Sequence, residues 1–101
     1  MSILAIHTVE ELESSLKDNI IVVILYSATW CRPCEHIYPQ VEKLLPEFPD
    51  VVWIKEDVDL NLTPGIVSIP RFRVFYHGGL YQEILGGDIN SLRECLLTIE
   101  P

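Results

Sequence analysis

Residues 27–39 read SATWCRPCEHIYP, with Cys31 and Cys34 separated only by Arg32 and Pro33, Trp30 ahead of them and a second proline at Pro39. A cysteine pair at this spacing has three chemical readings: a structural staple, half of a metal site, or a reversible redox switch. A disulfide closing so short a loop removes little entropy from the unfolded chain, which makes it a poor staple. Zinc needs two further ligands, and Cys95, His7, His36 and His77 do not form a second closely spaced pair. No metal site is therefore expected, and the redox reading is favoured.

The flanking sequence sets where the pair sits. Residues 20–26 (IIVVILY) are a nearly continuous β-branched run, the pattern of a strand buried on both faces. Beyond the cysteines, Ile37, Val41, Leu44, Leu45 and Phe48 follow a helical period, with Pro39 expected to kink that helix and Pro46 to end or bend it. The pair thus lies at a strand-to-helix junction. Upstream, Thr8 with Glu11 three residues on reads as a helix start, Val9, Leu12 and Leu16 as its apolar stripe, and Asn19 as its end. Downstream, residues 51–58 (VVWIKEDV) read as a second strand and residues 61–65 (NLTPG) as a turn with at most a short helix. Residues 71–76 and 80–85 form an antiparallel hairpin about His77-Gly78-Gly79. A last helix is expected from Ser91, with Leu92, Cys95, Leu96 and Ile99 on one stripe. Apart from a first strand that the pattern leaves open, the order is α-β-α-β-(short α)-β-β-α, an α/β chain whose central mixed sheet carries helices on its faces.

Composition excludes several function classes. One hundred and one residues, 49% of them hydrophobic, suit a single domain spanning 1–101 with one core. The longest apolar run, residues 20–26, is too short to cross a bilayer, and the N-terminus has no signal-peptide pattern, so no membrane association and a cytosolic location are expected. Three cysteines are an odd count, against a disulfide-stapled secreted scaffold. A formal charge of −8 with seven Lys and Arg spread along the chain argues against nucleic acid as a partner.

The junction also decides the thiol chemistry. Cys31 stands where the first backbone N–H groups of a helix lack intrahelical partners, and these donors stabilise a thiolate. With Arg32 beside it, the expected effect is a pKa about one unit or more below the usual value near 8.5. An attacking thiol works best with a pKa close to ambient pH, which makes Cys31 the nucleophile. Cys34, one turn further on, lacks the same free donors and becomes the resolving thiol. Pro33 suits the first helical turn, where its missing N–H costs nothing.

At this point the chain resembles the thioredoxin family over nearly its whole length. The resemblance is carried by YSATWCRPC after a hydrophobic strand, Pro39 in the helix, DVD at 57–59, SIPRFRVF at 68–75, the HGG turn and Gly86. It implies a thioredoxin fold with a shortened third helix and a cis peptide at Ile69-Pro70 facing the cysteines across a shallow groove. It further implies that Trp30, Ile69 and Pro70 contact an extended substrate, with Gly86 a close-approach position nearby. The reaction implied is reduction of disulfides in protein substrates, with no bound cofactor beyond a redox-active Cys31–Cys34 disulfide that a thioredoxin-reductase-like or other dithiol donor restores. A monomer is expected. An adaptor that docks partners without turnover, or a disulfide oxidase or isomerase, are the alternative readings.

The sequence departs from the family in four places. Leu25 stands where the family usually has a buried aspartate, and Lys55 keeps the place of the lysine that neighbours it. Lys55 is either a buried base without its partner or a solvent-facing residue. Arg32 replaces the commoner glycine, so that its charge favours the Cys31 thiolate and tunes the pair, with Pro33, toward a better oxidant. Arg71, where threonine is frequent, either selects acidic substrates or is a solvated strand end. The stretch between Asp59 and Pro70 is short, which reduces the usual helix there to a turn. Cys95 reads as core filler, His36 as an exposed helix residue and His77 as part of a turn.

Overall fold

A computed structural model describes residues 2–99. Five strands, β1 (Ile3–Ile6), β2 (Ile21–Ser27), β3 (Val51–Asp57), β4 (Arg71–Tyr76) and β5 (Gly79–Leu85), form one sheet in the order β1-β3-β2-β4-β5. Three helices, α1 (Val9–Asp18), α2 (Arg32–Leu44) and α3 (Ile89–Thr98), lie among them. β3 runs parallel to both β1 and β2, while β4 runs antiparallel to β2 and β5. The sheet is mixed, as the element order requires.

β2 is the middle strand, and every one of its residues is buried. Its period of two divides the core. Ile21, Val23 and Leu25 face Ile37, Val41 and Leu44 of α2 and Leu92, Cys95 and Leu96 of α3. Val22, Ile24 and Tyr26 face the opposite way, toward Leu12 and Leu16 of α1 and toward Leu62, Ile66 and Ile69. Helices therefore cover both faces, two on one and α1 alone on the other. The remainder of that second face is covered by residues 61–70, which contain no helix. Only a 3₁₀ turn, Val58–Leu60, precedes them, and Asn61 leaves it in the left-handed region at φ 56°. The shortened third helix is accordingly a single 3₁₀ turn followed by irregular chain.

Three local features bear on the sequence reading. The first strand, open in the sequence, is a four-residue parallel edge paired to β3 from Ile3↔Trp53 to Ile6↔Glu56. α3 begins two residues earlier than expected, because Asp88 caps it by accepting from the Ser91 N–H at 3.0 Å. α2 runs through Pro39 to Leu44 and, as expected of Pro46, ends there in a 3₁₀ turn, Leu45–Glu47.

The irregular segment rests on a buried acid. Glu56 is 1% exposed, and its Oε1 accepts from the Thr63 hydroxyl at 3.1 Å while Oε2 has no hydrogen-bond partner within the chain. Burial pushes the Glu56 carboxyl above its usual range, against the opposing pull of Thr63 and of the Arg73 charge. Tyr26 beneath it is pushed up to about 12 by burial and by the Glu56 charge. A carboxyl whose pKa is raised on folding stabilises the fold below its unfolded pKa and loses that contribution as pH rises through the folded value. Glu56→Gln, which cannot ionise, is expected to have a higher urea midpoint than the parent at pH 8, with the two converging near pH 4. A constant gap across that range would contradict the assignment.

Candidate active site

β2 ends at Ser27, and the chain turns through Ala28, Thr29 and Trp30 into α2. The Cys31 N–H donates to the Ala28 carbonyl at 3.1 Å, which closes the turn, and the Glu35 N–H donates to the Cys31 carbonyl at 3.3 Å, which opens the helix. Cys31 is thus the N-cap of α2, with extended backbone (φ −91°, ψ 102°). N-caps are usually Ser, Thr, Asp or Asn because a side-chain acceptor satisfies an orphan N–H. Here Cys31 Sγ takes that part and accepts from the Cys34 N–H at 3.3 Å. A thiolate at this position keeps an oriented donor and the positive end of the helix dipole.

Cys31 and Cys34 are joined by a disulfide across a Cα–Cα distance of 5.3 Å. Both are nearly buried, in a cluster with Ala28 against Val58 and Ile69. Arg32 and Pro33, the first two residues of the helix, are exposed. The Ile69-Pro70 bond is cis, and Ile69 packs directly on the cysteine cluster. Trp30 is 67% exposed, with its Nε1–H donating to Asp59 Oδ2 at 2.9 Å. Asp59 is itself placed by Asp57, whose Oδ1 accepts the Asp59 N–H at 2.9 Å. Sequence reasoning used the DVD run only as a family marker. The alternation of the two acids about Val58 was the available signal that one ties the turn and the other ties the tryptophan.

Gly86 does not owe its glycine to a close approach within the chain. A Cβ there would meet nothing within 4 Å, and its glycine character follows from φ 66°. The tight approach belongs to Gly87, where a Cβ would lie 2.5 Å from Ile37 Cγ2.

Behind Cys34 lies a cavity of about 700 Å³, lined among others by Leu25, Tyr38, Lys55 and Asp57. Leu25 and Lys55 are neighbours in the parallel register of β2 and β3, so they project to the same side. Lys55 is half-buried, and its Nζ sits 5.1 Å from the centre of the Tyr38 ring. It is neither sealed in the core nor free in solvent, and the side chain next to it in the sheet is a leucine.

Arg71 also departs from both expectations. It is 7% exposed, and its guanidinium donates to Glu83 at 3.0 Å and to Ser68 Oγ at 2.8 Å, so its charge is already satisfied within the fold. Cys95 is free and buried among the residues of α3, and burial pushes its thiol up. His36 is exposed on α2, and His77 occupies the hairpin turn at φ 51°. Among the described residues no group of three or more His, Cys, Asp and Glu could hold a metal ion.

Comparison with known proteins agrees with this geometry. The family pattern described as Thioredoxin matches residues 3–97. The chain is 37% identical over 95 residues to a thioredoxin of Geodia cydonium, covering 86% of this chain and 89% of the other. It is 32% identical over 93 residues to the thioredoxin of Gallus gallus, with 88% and 89% covered. The crystal structure of oxidised mitochondrial thioredoxin 3 from Saccharomyces cerevisiae superposes with a TM-score of 0.90 at 29% identity, covering 96% and 95% of the two chains.

The position of Arg32 next to the capping sulfur makes a test. Its charge is expected to favour the Cys31 thiolate and so the reduced pair, and an exposed charge interaction of up to about 1 kcal/mol corresponds to roughly 10–20 mV. Arg32→Gly should move the measured potential of the Cys31–Cys34 couple to more negative values by that order. A potential that stays in place or rises contradicts the tuning role.

Proposed function

This chain belongs to the thioredoxin family and is a thiol–disulfide oxidoreductase, and we propose that it works as a reductase of disulfides in other proteins. The observation that carries this reading is the placement of a disulfide-bonded Cys31 at the N-cap of α2, beside exposed Trp30 and in contact with Ile69. A buried structural bridge needs no such neighbours.

In the reduced protein the Cys31 thiolate attacks one sulfur of a substrate disulfide, and the other substrate sulfur leaves as a thiolate and takes up a proton. Cys34 then loses its proton and attacks Cys31 Sγ, which breaks the mixed disulfide, releases the second substrate thiol and closes the Cys31–Cys34 bridge. Two electrons pass from the dithiol to the substrate. A thioredoxin-reductase-like enzyme or another dithiol returns them, and the disulfide itself is the only redox group required.

The remaining site residues are assigned around these two steps. Ile69, on the cysteine cluster, offers its backbone to the extended substrate, Pro70 fixes that backbone, Trp30 borders the groove and Gly86 turns the chain beside it. Pro33 shapes the helix start. Lys55 acts on the second step: a cation on the wall of the cavity behind Cys34 favours the Cys34 thiolate, which matters here because Leu25 supplies no base. The cytosol is the proposed compartment, supported by an odd cysteine count with Cys95 free, which suits reducing conditions.

An insulin-reduction assay with a thioredoxin reductase as donor tests the proposal. The parent should precipitate insulin chains, Cys31→Ser should be inactive, and Cys34→Ser should accumulate a mixed disulfide through Cys31. Undiminished turnover when both cysteines are serine, or trapping through Cys34 in the Cys31→Ser protein, would refute it.

A further inference from the structure

The chain from 61 to 70 carries one side of the proposed groove, yet it has no helix and pairs with no strand. Among the described residues, polar side-chain ties to the rest of the fold seat it at two positions, Thr63 and Ser68. One is Thr63 on Glu56, toward the start of the segment. The other is at the groove itself, where Arg71 Nη2–H donates to Ser68 Oγ at 2.8 Å. The same guanidinium donates through Nη1 to Glu83 Oε2 at 3.0 Å, and that oxygen also accepts from Arg73 Nε at 2.8 Å.

The anchoring end of this arrangement lies in the sheet. Arg73 and Glu83 are register partners in the β4–β5 ladder. The Arg73 hydrogen bond, with the charges of both arginines, holds the Glu83 carboxyl below its ordinary range. Glu83 is thus an ionised, two-fold-bonded post on β5, paired to Arg73 just ahead of the bulge in the ladder. Arg71 reaches from that post to Ser68, two residues ahead of Pro70. A planar guanidinium offers separate nitrogens in a fixed fork, so one can hold the carboxylate while the other holds the hydroxyl, whereas an ammonium presents a single nitrogen on a flexible stem. The arrangement has a cost: Arg71 is buried, and its Nε has no partner, a deficit that native interiors seldom carry.

We propose that Arg71 is a positioning residue for substrate docking, tying Ser68 to Glu83 and so fixing the Ile69-Pro70 backbone on which a protein disulfide is bound. This rests on the reading of Ile69 and Pro70 as the docking backbone. Arg71 acts through Ser68 and does not touch substrate. It follows that weakening the tie harms recognition of an extended protein chain while leaving the reactivity of Cys31 toward a small disulfide intact.

Two substrates and three variants test it. Insulin uses the groove, and 5,5′-dithiobis(2-nitrobenzoate) needs only access to the thiolate. Ser68 is exposed, so Ser68→Ala removes the tie without emptying the core, and Arg71→Lys keeps the charge near Glu83 without the fork. Both should raise the KM for insulin by about three- to tenfold, with kcat and the rate with the small disulfide within about twofold of the parent. Trp30→Ala, also on the groove, should raise the insulin KM as well. An unchanged insulin KM in Ser68→Ala beside a raised one in Trp30→Ala overturns the role of Arg71 alone. An unchanged KM in all three overturns the groove reading and this inference with it. Parallel losses on both substrates in Ser68→Ala would show a general structural defect and also overturn it.

Discussion

A helix can begin with a sulfur only where the preceding chain delivers that sulfur to the orphan N–H groups, and the fold of this protein is arranged around that requirement. β2 is buried along its whole length between β3 and β4, with layers above and below it. It therefore ends at a fixed point, and the short turn through Ala28 has little freedom. Cys31 arrives as the N-cap with its sulfur on the Cys34 N–H. One residue earlier, Trp30 turns outward to Asp59, and one residue later, Arg32 is exposed on the first turn of the helix. The difference in chemistry between two otherwise identical thiols follows from that placement.

The two faces of the sheet meet different demands. The face under α2 and α3 is packed with apolar side chains except at the cavity beside Leu25 and Lys55, and it fixes the helix that carries the cysteines. The other face is half covered by a helix and half by irregular chain, and under the irregular part lie Tyr26, Glu56, Arg71 and Arg73. An irregular segment cannot satisfy its own backbone or bring a long apolar stripe. It is seated by a few polar ties instead, Thr63 on Glu56 and Ser68 on Arg71, together with the packing of Leu62, Ile66 and Ile69. This explains why ionisable groups are buried on the face that lost the helix.

Much of this was legible in the sequence because it is local or periodic. The β-branched run at 20–26, the helical spacing from Ile37 onward, the Thr8–Glu11 start and the Gly78-Gly79 turn each name their element through a few adjacent residues. The Cys31–Cys34 junction was readable for the same reason. What escaped is long-range. Nothing near Arg71 in the chain reveals that Glu83 stands across a bulged hairpin to take its charge, so the side chain read as solvated or substrate-facing. Gly86 and Gly87 look alike in sequence, and only the packing of Ile37 shows which has no room for a side chain. The start of α3 lies two residues ahead of Ser91 because the cap is Asp88, and the pairing of its carboxylate with the Ser91 N–H shows only in the fold. Leu25 was legible as a departure, but the cavity next to it, with Lys55 on its wall, depends on how β2, β3 and α2 converge.

The account stands on the inequality of the two thiols, and alkylation of the fully reduced protein measures it directly. With substoichiometric iodoacetamide at a series of pH values, mass spectrometry of the products should place the first label on Cys31. Its rate should rise with a midpoint below the ordinary thiol value of about 8.5. First labelling at Cys34, or a Cys31 midpoint at or above that value, would contradict the claim that the N-cap position creates the nucleophile.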